Sequence, residues 1–204
     1  KITENLRVGA SYESPTWYGM YDESQQRLQT YNYENGKSTY VDVDPNLITV
    51  YEKYKITTPA SYGGSLAYVF GKSGLISFDY KRKDYSNTSY KSDFSNFDNL
   101  NSYYNNNLKA VSEIRVGGEY RINQVSLRGG YRFVESPYKE SQIIGDLNSA
   151  TAGIGYSFGA ARLDFGYSFT HQPIKMDIMS SGLNIDASIK TKHNNFSLTY
   201  SFSF

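Results

Sequence analysis

The chain has 204 residues, a formal net charge of +1 and no cysteine. This charge gives no general case for nucleic-acid binding, and the absence of cysteine excludes disulfides and thiolate metal sites. No apolar run approaches the roughly 18 residues of a transmembrane helix, but a membrane-spanning strand needs only about 9–11 residues of alternating character. The 21 tyrosines suit half-buried strands or a membrane interface, where the ring is apolar and the hydroxyl wet.

Two long strands begin the chain, and each contains a proline. The pattern predicts a strand from Leu6 towards Tyr33, a turn at Asn35-Gly36, a loop over 41–46 and a second strand over 48–70. Proline removes a hydrogen-bond donor and is tolerated in a sheet only at edges or bulges. We therefore expect a local kink at Pro15 and another at Pro59.

The rest of the chain alternates short turns with long polar connections. The predicted strands are 75–85, 108–122, 125–134, 149–158, 161–170 and 189–204, the short turns are 71–74, Asn123-Gln124 and Gly159-Ala160, and the long connections are 86–107, 135–147 and 171–188. Bacterial outer-membrane barrels alternate short periplasmic turns with long outer loops in this way. A ten-strand reading with turns at both prolines would make 34–46 a long periplasmic loop. The alternation favours eight antiparallel strands and a transmembrane β-barrel.

The two faces of the predicted sheet differ in chemistry. A two-residue turn pairs Ile122 with Val125, which places Tyr120 opposite Leu127 on one face and Glu119 opposite Arg128 on the other. The hairpins at 71–74 and 159–160 divide in the same way, with Tyr68 opposite Ile76 and Tyr156 opposite Leu163 on the apolar face. A face that carries so many charges cannot be a dry core, so we expect it to line a wet lumen. The candidate lumen-lining residues are Asp79, Lys81, Glu113, Arg115, Glu119, Arg121, Arg128, Arg132, Arg162 and Asp164.

The last strand carries the clearest membrane signal. Large apolar residues alternate with small hydroxyl residues up to the last position of the sequence. The apolar ones are Phe196, Leu198, Tyr200, Phe202 and Phe204. A soluble sandwich or calyx also alternates, with its apolar face inside. The ion-pairing density, the tyrosine content and this ending favour the membrane barrel, in which these five residues form the C-terminal insertion signal at the periplasmic side.

Several segments resemble the long-chain fatty acid transporter family of outer-membrane proteins, the OmpP1/FadL/TodX group. They are Ser65–Lys72, Ile114–Arg121, Leu127–Tyr131 with Ser136-Pro137, and Gly153–Phe158. The resemblance covers almost the whole chain but corresponds to the C-terminal part of a barrel of about fourteen strands. The family's N-terminal hatch and about six preceding strands are missing, so we expect a fragment of a larger transporter.

The resemblance implies function, location and partners. Members carry hydrophobic small molecules, such as long-chain fatty acids or aromatic hydrocarbons, across the bacterial outer membrane. The implied partners are outer-membrane lipid, the hydrophobic substrate and the barrel assembly machinery during insertion. An alternative is a closed eight-stranded barrel that acts as a membrane anchor or adhesin, because eight strands close around a side-chain-filled interior. In either case residues 1–204 are expected to form one domain.

Two further residue groups allow more than one interpretation. Phe94, Phe97, Leu100 and Tyr104 lie near helical spacing in a polar connection, and form either an outer capture patch for substrate or the packing of their own loop. His171 and His193 are predicted to be separate surface residues near strand ends, rather than a metal or catalytic pair. No phosphate loop, metal cluster or nucleophile motif is present. We therefore expect neither a cofactor nor enzymatic activity.

Overall fold

Eight antiparallel strands form one sheet in the computed structural model, which describes residues 3–34, 36–140, 143–177 and 186–202. The elements are β1 (Leu6–Glu13), β2 (Trp17–Met20), β3 (Glu23–Gln25), β4 (Leu28–Glu34), β5 (Lys37–Val43), β6 (Ile48–Val50), β7 (Tyr54–Thr57), β8 (Ser61–Val69), β9 (Gly74–Asp84), β10 (Ser89–Lys91), α1 (Asp98–Asn107), β11 (Ala110–Ile122), β12 (Val125–Val134), β13 (Leu147–Ser157), β14 (Ala161–Asp177) and β15 (Asp186–Phe202). Within these ranges no helix has both the length and the apolar character to span a membrane.

The large sheet has the order β1-β8-β9-β11-β12-β13-β14-β15, so consecutive strands are neighbours throughout. The prediction of eight strands is confirmed. Among the described residues β1 pairs only with β8, and β15 pairs only with β14. The sheet is therefore open, which matches part of a larger barrel and not the closed eight-stranded alternative.

The first two strands of the sheet continue beyond it as a long, interrupted hairpin, here called the arm (residues 17–57). Its rungs are the pairs β2–β7, β3–β6 and β4–β5, and Gly36, with φ of 78°, lies in the end turn. The predicted turn is thus confirmed for Gly36, whereas Asn35 lies outside the described residues. The prediction of a loop over 41–46 is wrong for residues 41–43, because β5 extends through Val43.

The arm begins where two prolines interrupt the sheet at the same level. Glu13 pairs with Ser61 below the break and Trp17 pairs with Thr57 above it, so Pro15 and Pro59 face one another. Neither proline can donate to the ladder. The strands stay together because Thr58 N donates to Thr16 O at 2.9 Å and Thr16 N donates to Thr58 Oγ1 at 3.0 Å. The strands are therefore interrupted at both prolines, the two positions where kinks were predicted.

A salt link joins the two sides of the arm at the start of the β4–β5 hairpin, away from the end turn. Arg27 Nε donates to Asp42 Oδ1 at 2.9 Å, and the Tyr40 hydroxyl donates to Asp42 Oδ2 at the same distance. The hydrogen bond from Arg27 lowers the pKa of Asp42, with a smaller contribution from Tyr40. The carboxylate is therefore ionised, and the link intact, at neutral pH.

All the short turns lie at one end of the sheet and all the long connections at the other. Gly71 and Gly159, with φ of 57° and 90°, adopt the left-handed conformation that a tight turn requires. The long connections are bound to one another: Lys109 N donates to Pro137 O at 2.9 Å, and Gly145 N donates to Pro173 O at 2.8 Å. This loop end is thus a continuous surface.

Two predictions about the long connections are wrong. The connection predicted over 171–188 is shorter, because β14 extends to Asp177 and β15 begins at Asp186. Seventeen successive residue pairs join β14 to β15 over this length. The connection over 86–107, predicted as a loop with at most a short helical turn, contains β10 and the ten-residue helix α1. β10 forms because it pairs with β7 of the arm.

The predicted registers of all three short hairpins are confirmed. Ile122 pairs with Val125, Tyr156 with Leu163 and Tyr68 with Ile76. The apolar face this creates is open to its surroundings, since Leu108 and Val111 are the only buried hydrophobic residues in the described ranges. Such a sheet has almost no core of its own, so its apolar face needs another apolar phase.

Tyrosine–asparagine pairs mark the edge of the apolar face nearest the loop end. The Tyr131 hydroxyl donates to Asn148 Oδ1 at 2.6 Å, and the Tyr167 hydroxyl donates to Asn194 Oδ1 at 2.8 Å. Each pair joins neighbouring strands, with the ring against the apolar surface and the polar end at its border. This is the arrangement expected of an interfacial aromatic girdle.

A charge placed in the middle of the apolar face should destabilise the sheet, whereas the next residue should tolerate it. Leu198→Arg is expected to lower the free energy of unfolding by about 2–4 kcal/mol in lipid vesicles. Thr199→Arg is the control, because Thr199 lies opposite Asp164 on the other face and gains a nearby carboxylate. Urea titration of the vesicle-inserted protein measures both variants. Equal losses would contradict the assignment of faces.

Candidate functional site

The polar face of the large sheet carries two ion-pair clusters. In the first, Glu113 Oε1 accepts from Arg115 Nε at 2.6 Å and from Arg132 Nε at 2.7 Å. Arg115 and Arg132 are directly opposed on β11 and β12, a placement that would be repulsive alone. Glu113 separates their charges by binding both guanidinium groups.

The second cluster is a chain of five charged residues across three strands. Glu119 binds Arg121 through one oxygen and accepts from Arg128 Nε at 2.9 Å through the other. Arg128 Nη1 then donates to Asp164 Oδ1 at 2.7 Å, and Arg162 Nε donates to Asp164 Oδ2 at 2.8 Å. Each exposed pair contributes only about 0.2–1 kcal/mol, but the chain fixes all five side chains in one arrangement.

The link between Arg128 and Asp164 depends on glycines in the strand between them. Arg128 is on β12 and Asp164 on β14, so their side chains must pass over β13. At the crossing β13 has Gly153 opposite Arg128 and Gly155 opposite Asp164. A Cβ at Gly155 would overlap Asp164 Oδ1 and lie 2.8 Å from Arg162 Nη2. The side-chain-free backbone of Gly155 therefore makes room for the ion pairs.

A recess of about 220 Å³ lies beside the first cluster, towards β1. Its walls include Asp79, Lys81 and Arg115. Lys81 Nζ contacts Glu13 Oε1 at 2.8 Å, and the Ser61 hydroxyl donates to Glu13 Oε2 at 2.7 Å. Asp79 lies opposite Arg115 in register, yet it has no ion pair within the described part of the chain. The recess thus offers a guanidinium, an ammonium and a carboxylate to a small solute.

At the loop end the four candidate aromatic and apolar residues separate into two environments. Phe97 lies 5.5 Å from the ring of Tyr54 and 5.7 Å from that of Tyr90, while Tyr104 stacks on Tyr90 at 5.6 Å. Leu100 lies between them on α1 and is half-buried. Phe97 and Tyr104 therefore belong to the packing of the helix segment against the arm and β10, and Leu100 is partly covered on the same helix.

Phe94 differs from the other three because 74% of its surface is exposed. It lines a cavity of about 640 Å³ together with Met20, Tyr21, Lys53 and Lys55. The cavity lies where the arm meets the connection between β9 and β11. Of the four candidates, Phe94 is the one free to contact a solute there.

The terminal strand exposes its apolar residues on the face away from the charges. Phe196, Leu198, Tyr200 and Phe202 remain 62–72% exposed, and Phe196 packs at 5.0 Å from the ring of Tyr167. Phe204, the last residue of the expected insertion signal, lies outside the described residues.

The two histidines lie on opposite faces of the sheet. His193 pairs with Thr170 and His171 with Lys192, so adjacent positions in the ladder separate the rings. His171 Nδ1 is 3.3 Å from the backbone oxygen of Thr191. The alternative of a joint metal or catalytic site is thus excluded by the register. Both residues lie well inside the strands rather than near their ends, because β14 and β15 are longer than predicted.

The sequence interpretation missed three partners of the charged face: Glu13, Ser61 and Ser126. Ser126 accepts a hydrogen bond from Arg162 Nη2 at 3.0 Å. Side chains alternate along β12, so the position of Ser126 on the same face as Arg128 could have been predicted from the sequence. Glu13 required the pairing of β1 with β8, which follows from the arm and not from a short turn.

Comparison with known proteins gives matches in structure only. No protein-family model and no curated protein matches the sequence. A Pseudomonas aeruginosa FadL homologue matches 99% of this chain and 50% of its own, with a TM-score of 0.61 and 16% identity. The Ralstonia pickettii toluene transporter TbuX matches 98% and 45%, with a TM-score of 0.52 and 17% identity. The monoaromatic hydrocarbon channel CymD matches 100% and 48%, with a TM-score of 0.51 and 16% identity.

The chain therefore spans about half the length of these solved structures. It has the fold of part of a FadL-type outer-membrane β-barrel, and the resemblance drawn from the sequence motifs is confirmed at the level of the fold. An open eight-stranded sheet is what the C-terminal part of such a barrel would provide.

Filling the space above Gly155 should break the second cluster. Gly155→Ala is expected to displace Asp164 from Arg128 and Arg162 and to lower the free energy of unfolding by about 1–3 kcal/mol. Gly117→Ala is the matched control on the same face, because its Cβ would meet Ser77 Oγ at an ordinary 3.5 Å. Urea denaturation in vesicles compares them. If Gly117→Ala lowered the free energy of unfolding as much as Gly155→Ala, the proposed passage of the Arg128–Asp164 ion pair over Gly155 would be contradicted.

Proposed function

We propose, from the fold shared with FadL- and TodX-type barrels, that this chain forms part of an outer-membrane channel for small hydrophobic molecules such as long-chain fatty acids. Residues 1–204 are then one barrel domain within a larger wall, and the charged face lines its lumen. The apolar face contacts lipid, and the C-terminus of β15 points to the periplasm, where short turns of such barrels lie.

The observation that carries this proposal is the division of the sheet into two faces within this fold. One face has apolar side chains bordered by tyrosine–asparagine pairs, and the other has the two ion-pair clusters. A wall of this kind separates lipid from a wet interior. The FadL homologue, the toluene transporter and the hydrocarbon channel support the choice of a hydrophobic cargo over an ion or a sugar.

Uptake by intact cells tests the function directly. The full-length product that carries this chain would be expressed in a host lacking its own hydrophobic uptake channel, and uptake of radiolabelled oleate and of toluene would be measured. Faster uptake of at least one of them than in the empty host is expected. Uptake at the level of the empty host for both, with the protein inserted in the outer membrane, would contradict the proposal.

The recess beside Arg115 supports fatty acids rather than neutral hydrocarbons as cargo. A carboxylate can bind the guanidinium of Arg115 by a bidentate, charge-assisted pair. The side chain is about half exposed, and its Nη atoms make no hydrogen bond within the described residues, so donors remain available. The apolar tail of such a cargo would extend along the lumen.

Removal of the Arg115 side chain should therefore slow the uptake of an acidic cargo but not that of a neutral one. Arg115→Ala is expected to slow oleate uptake several-fold and to leave toluene uptake unchanged. Arg121→Ala is the matched control, since Arg121 also binds a glutamate two residues earlier on β11 but lies outside the recess. Equal effects of both variants on oleate, or a loss of toluene uptake in Arg115→Ala, would argue against a carboxylate site.

The capture role at the loop end falls to Phe94 alone. Phe94→Ala is expected to raise the oleate concentration at which uptake is half-maximal. Thermal stability should not change, because the ring is largely exposed. Phe97→Ala is expected to destabilise the loop end by about 3 kcal/mol or less, since it removes a half-buried ring. Uptake kinetics and thermal unfolding are measured for both. Unchanged uptake by Phe94→Ala would remove the capture role.

The alternative of a closed eight-stranded anchor receives no support from the fold. Closure would require a pairing between β1 and β15, and the described residues show none. Intact-mass spectrometry of the natural product checks the proposed larger barrel. A mature product no longer than this chain would favour the anchor.

A further inference from the structure

The apolar face of β14 and β15 changes abruptly from aromatic to cationic. The aromatic part ends at the pair Phe169–Asn194, and the next pairs towards the loop end are His171–Lys192, Pro173–Lys190 and Lys175–Ser188. We call Lys175, Lys190 and Lys192 the cationic patch. All three lie on the face that carries Phe165 and Leu198, because side chains alternate along each strand.

Within the described residues, the two lysines of β15 have no acidic residue next to them on this face. No ion pair of the described residues includes any of its members, and all three lysines are exposed. Asp177 and Asp186 pair with each other further along: Asp177 is two residues beyond Lys175 on β14, whereas Asp186 is four residues, or about 13 Å, from Lys190 on β15. Asp146 precedes β13 on the other side of Pro173, and its Oδ1 accepts the backbone N–H of Ser136 at 2.7 Å.

The position of the patch relative to the apolar belt is specific. On β14 the belt runs from Ala161 to Phe169, about 26 Å along the strand, or about 20 Å in height at the usual tilt. This approaches the roughly 25 Å apolar band of outer-membrane barrels. Lys192 and Lys190 follow immediately beyond the belt, at the depth of lipid headgroups.

Apart from β9, the other strands named here carry no cation at this border within the described residues. Ser112 on β11, Phe133 on β12 and Asn148 on β13 occupy the border of the same face. The one cation there is Arg82 on β9, whose Nη1 donates to Ser112 Oγ at 3.2 Å. Lysines only about 7 Å apart repel one another unless an anion lies between them.

We propose that the cationic patch binds the phosphate groups of a phosphorylated glycolipid in the leaflet at the loop end. Lysine clusters at this depth attract anionic headgroups, and the adjacent aromatic rings pack against the acyl chains. This inference rests on the proposed function for the membrane orientation of the chain, but it does not depend on which molecule the channel carries.

Lipid binding by the full-length protein tests the proposal. Native mass spectrometry would measure retention of lipid A, in its phosphorylated and its enzymatically dephosphorylated forms, added to delipidated protein in detergent. Lys190→Gln/Lys192→Gln is expected to weaken binding of the phosphorylated form about thirtyfold. Lys37→Gln/Lys72→Gln is the matched control, since it removes the same charge from the arm and from a short turn. It should bind as the wild type does.

The outcomes separate this inference from the proposed function. Equal binding of phosphorylated and dephosphorylated lipid by the wild type, or unchanged binding by Lys190→Gln/Lys192→Gln, would overturn it. Heat-modifiable migration reports whether each variant is folded. If the double variant is not folded, each single variant is expected to bind about fivefold more weakly, and Lys190→Arg/Lys192→Arg to retain binding. Failed oleate and toluene uptake with intact lipid binding would refute the transport function alone.

Discussion

The structure depends on one constraint: between the short turns and the tyrosine–asparagine border, every strand of the large sheet must keep its charged residues on one face and its apolar residues on the other. Side chains alternate strictly along a strand, so a slip of one residue would expose all the charges of that strand to the apolar side. The ion pairs on the charged face hold neighbouring strands together. They do so in a sheet whose apolar face has almost no buried residues among those described.

The crossing over β13 shows how far this constraint reaches. Arg128 and Asp164 are two strands apart, and their ion pair requires an intervening strand without side chains at that level. Gly155 provides this space and is buried beneath the carboxylate and the guanidinium of Arg162. A glycine that weakens a strand by itself thus allows three strands to be tied together.

The loop end follows a different principle, since it is held by backbone hydrogen bonds and aromatic packing. The arm, β10 and α1 meet around Tyr90, which stacks on Tyr104 and lies close to Phe97. Further bonds connect this group to the next long connection and then to β14. Tyr90, Phe97 and Tyr104 therefore pack against one another at this end, whereas Phe94 is exposed.

Most of the sheet could be predicted from the sequence because its determinants are local. Alternation identifies the strands, and a turn of two or three residues fixes the register, as it does for Ile122–Val125 and Tyr156–Leu163. Contacts that depend on residues distant in sequence could not be predicted. No short turn fixes the register of β15 against β14, so the opposite faces of His171 and His193 and the length of these strands follow only from the complete ladder. The same holds for Glu13, which meets Lys81 because the arm aligns β1 with β8. The sequence by itself thus determined the eight strands, their two faces and the short hairpins. The tertiary structure alone decided which charges pair across strands, how the loop end is joined and where the lysines of β15 stand above the aromatic belt.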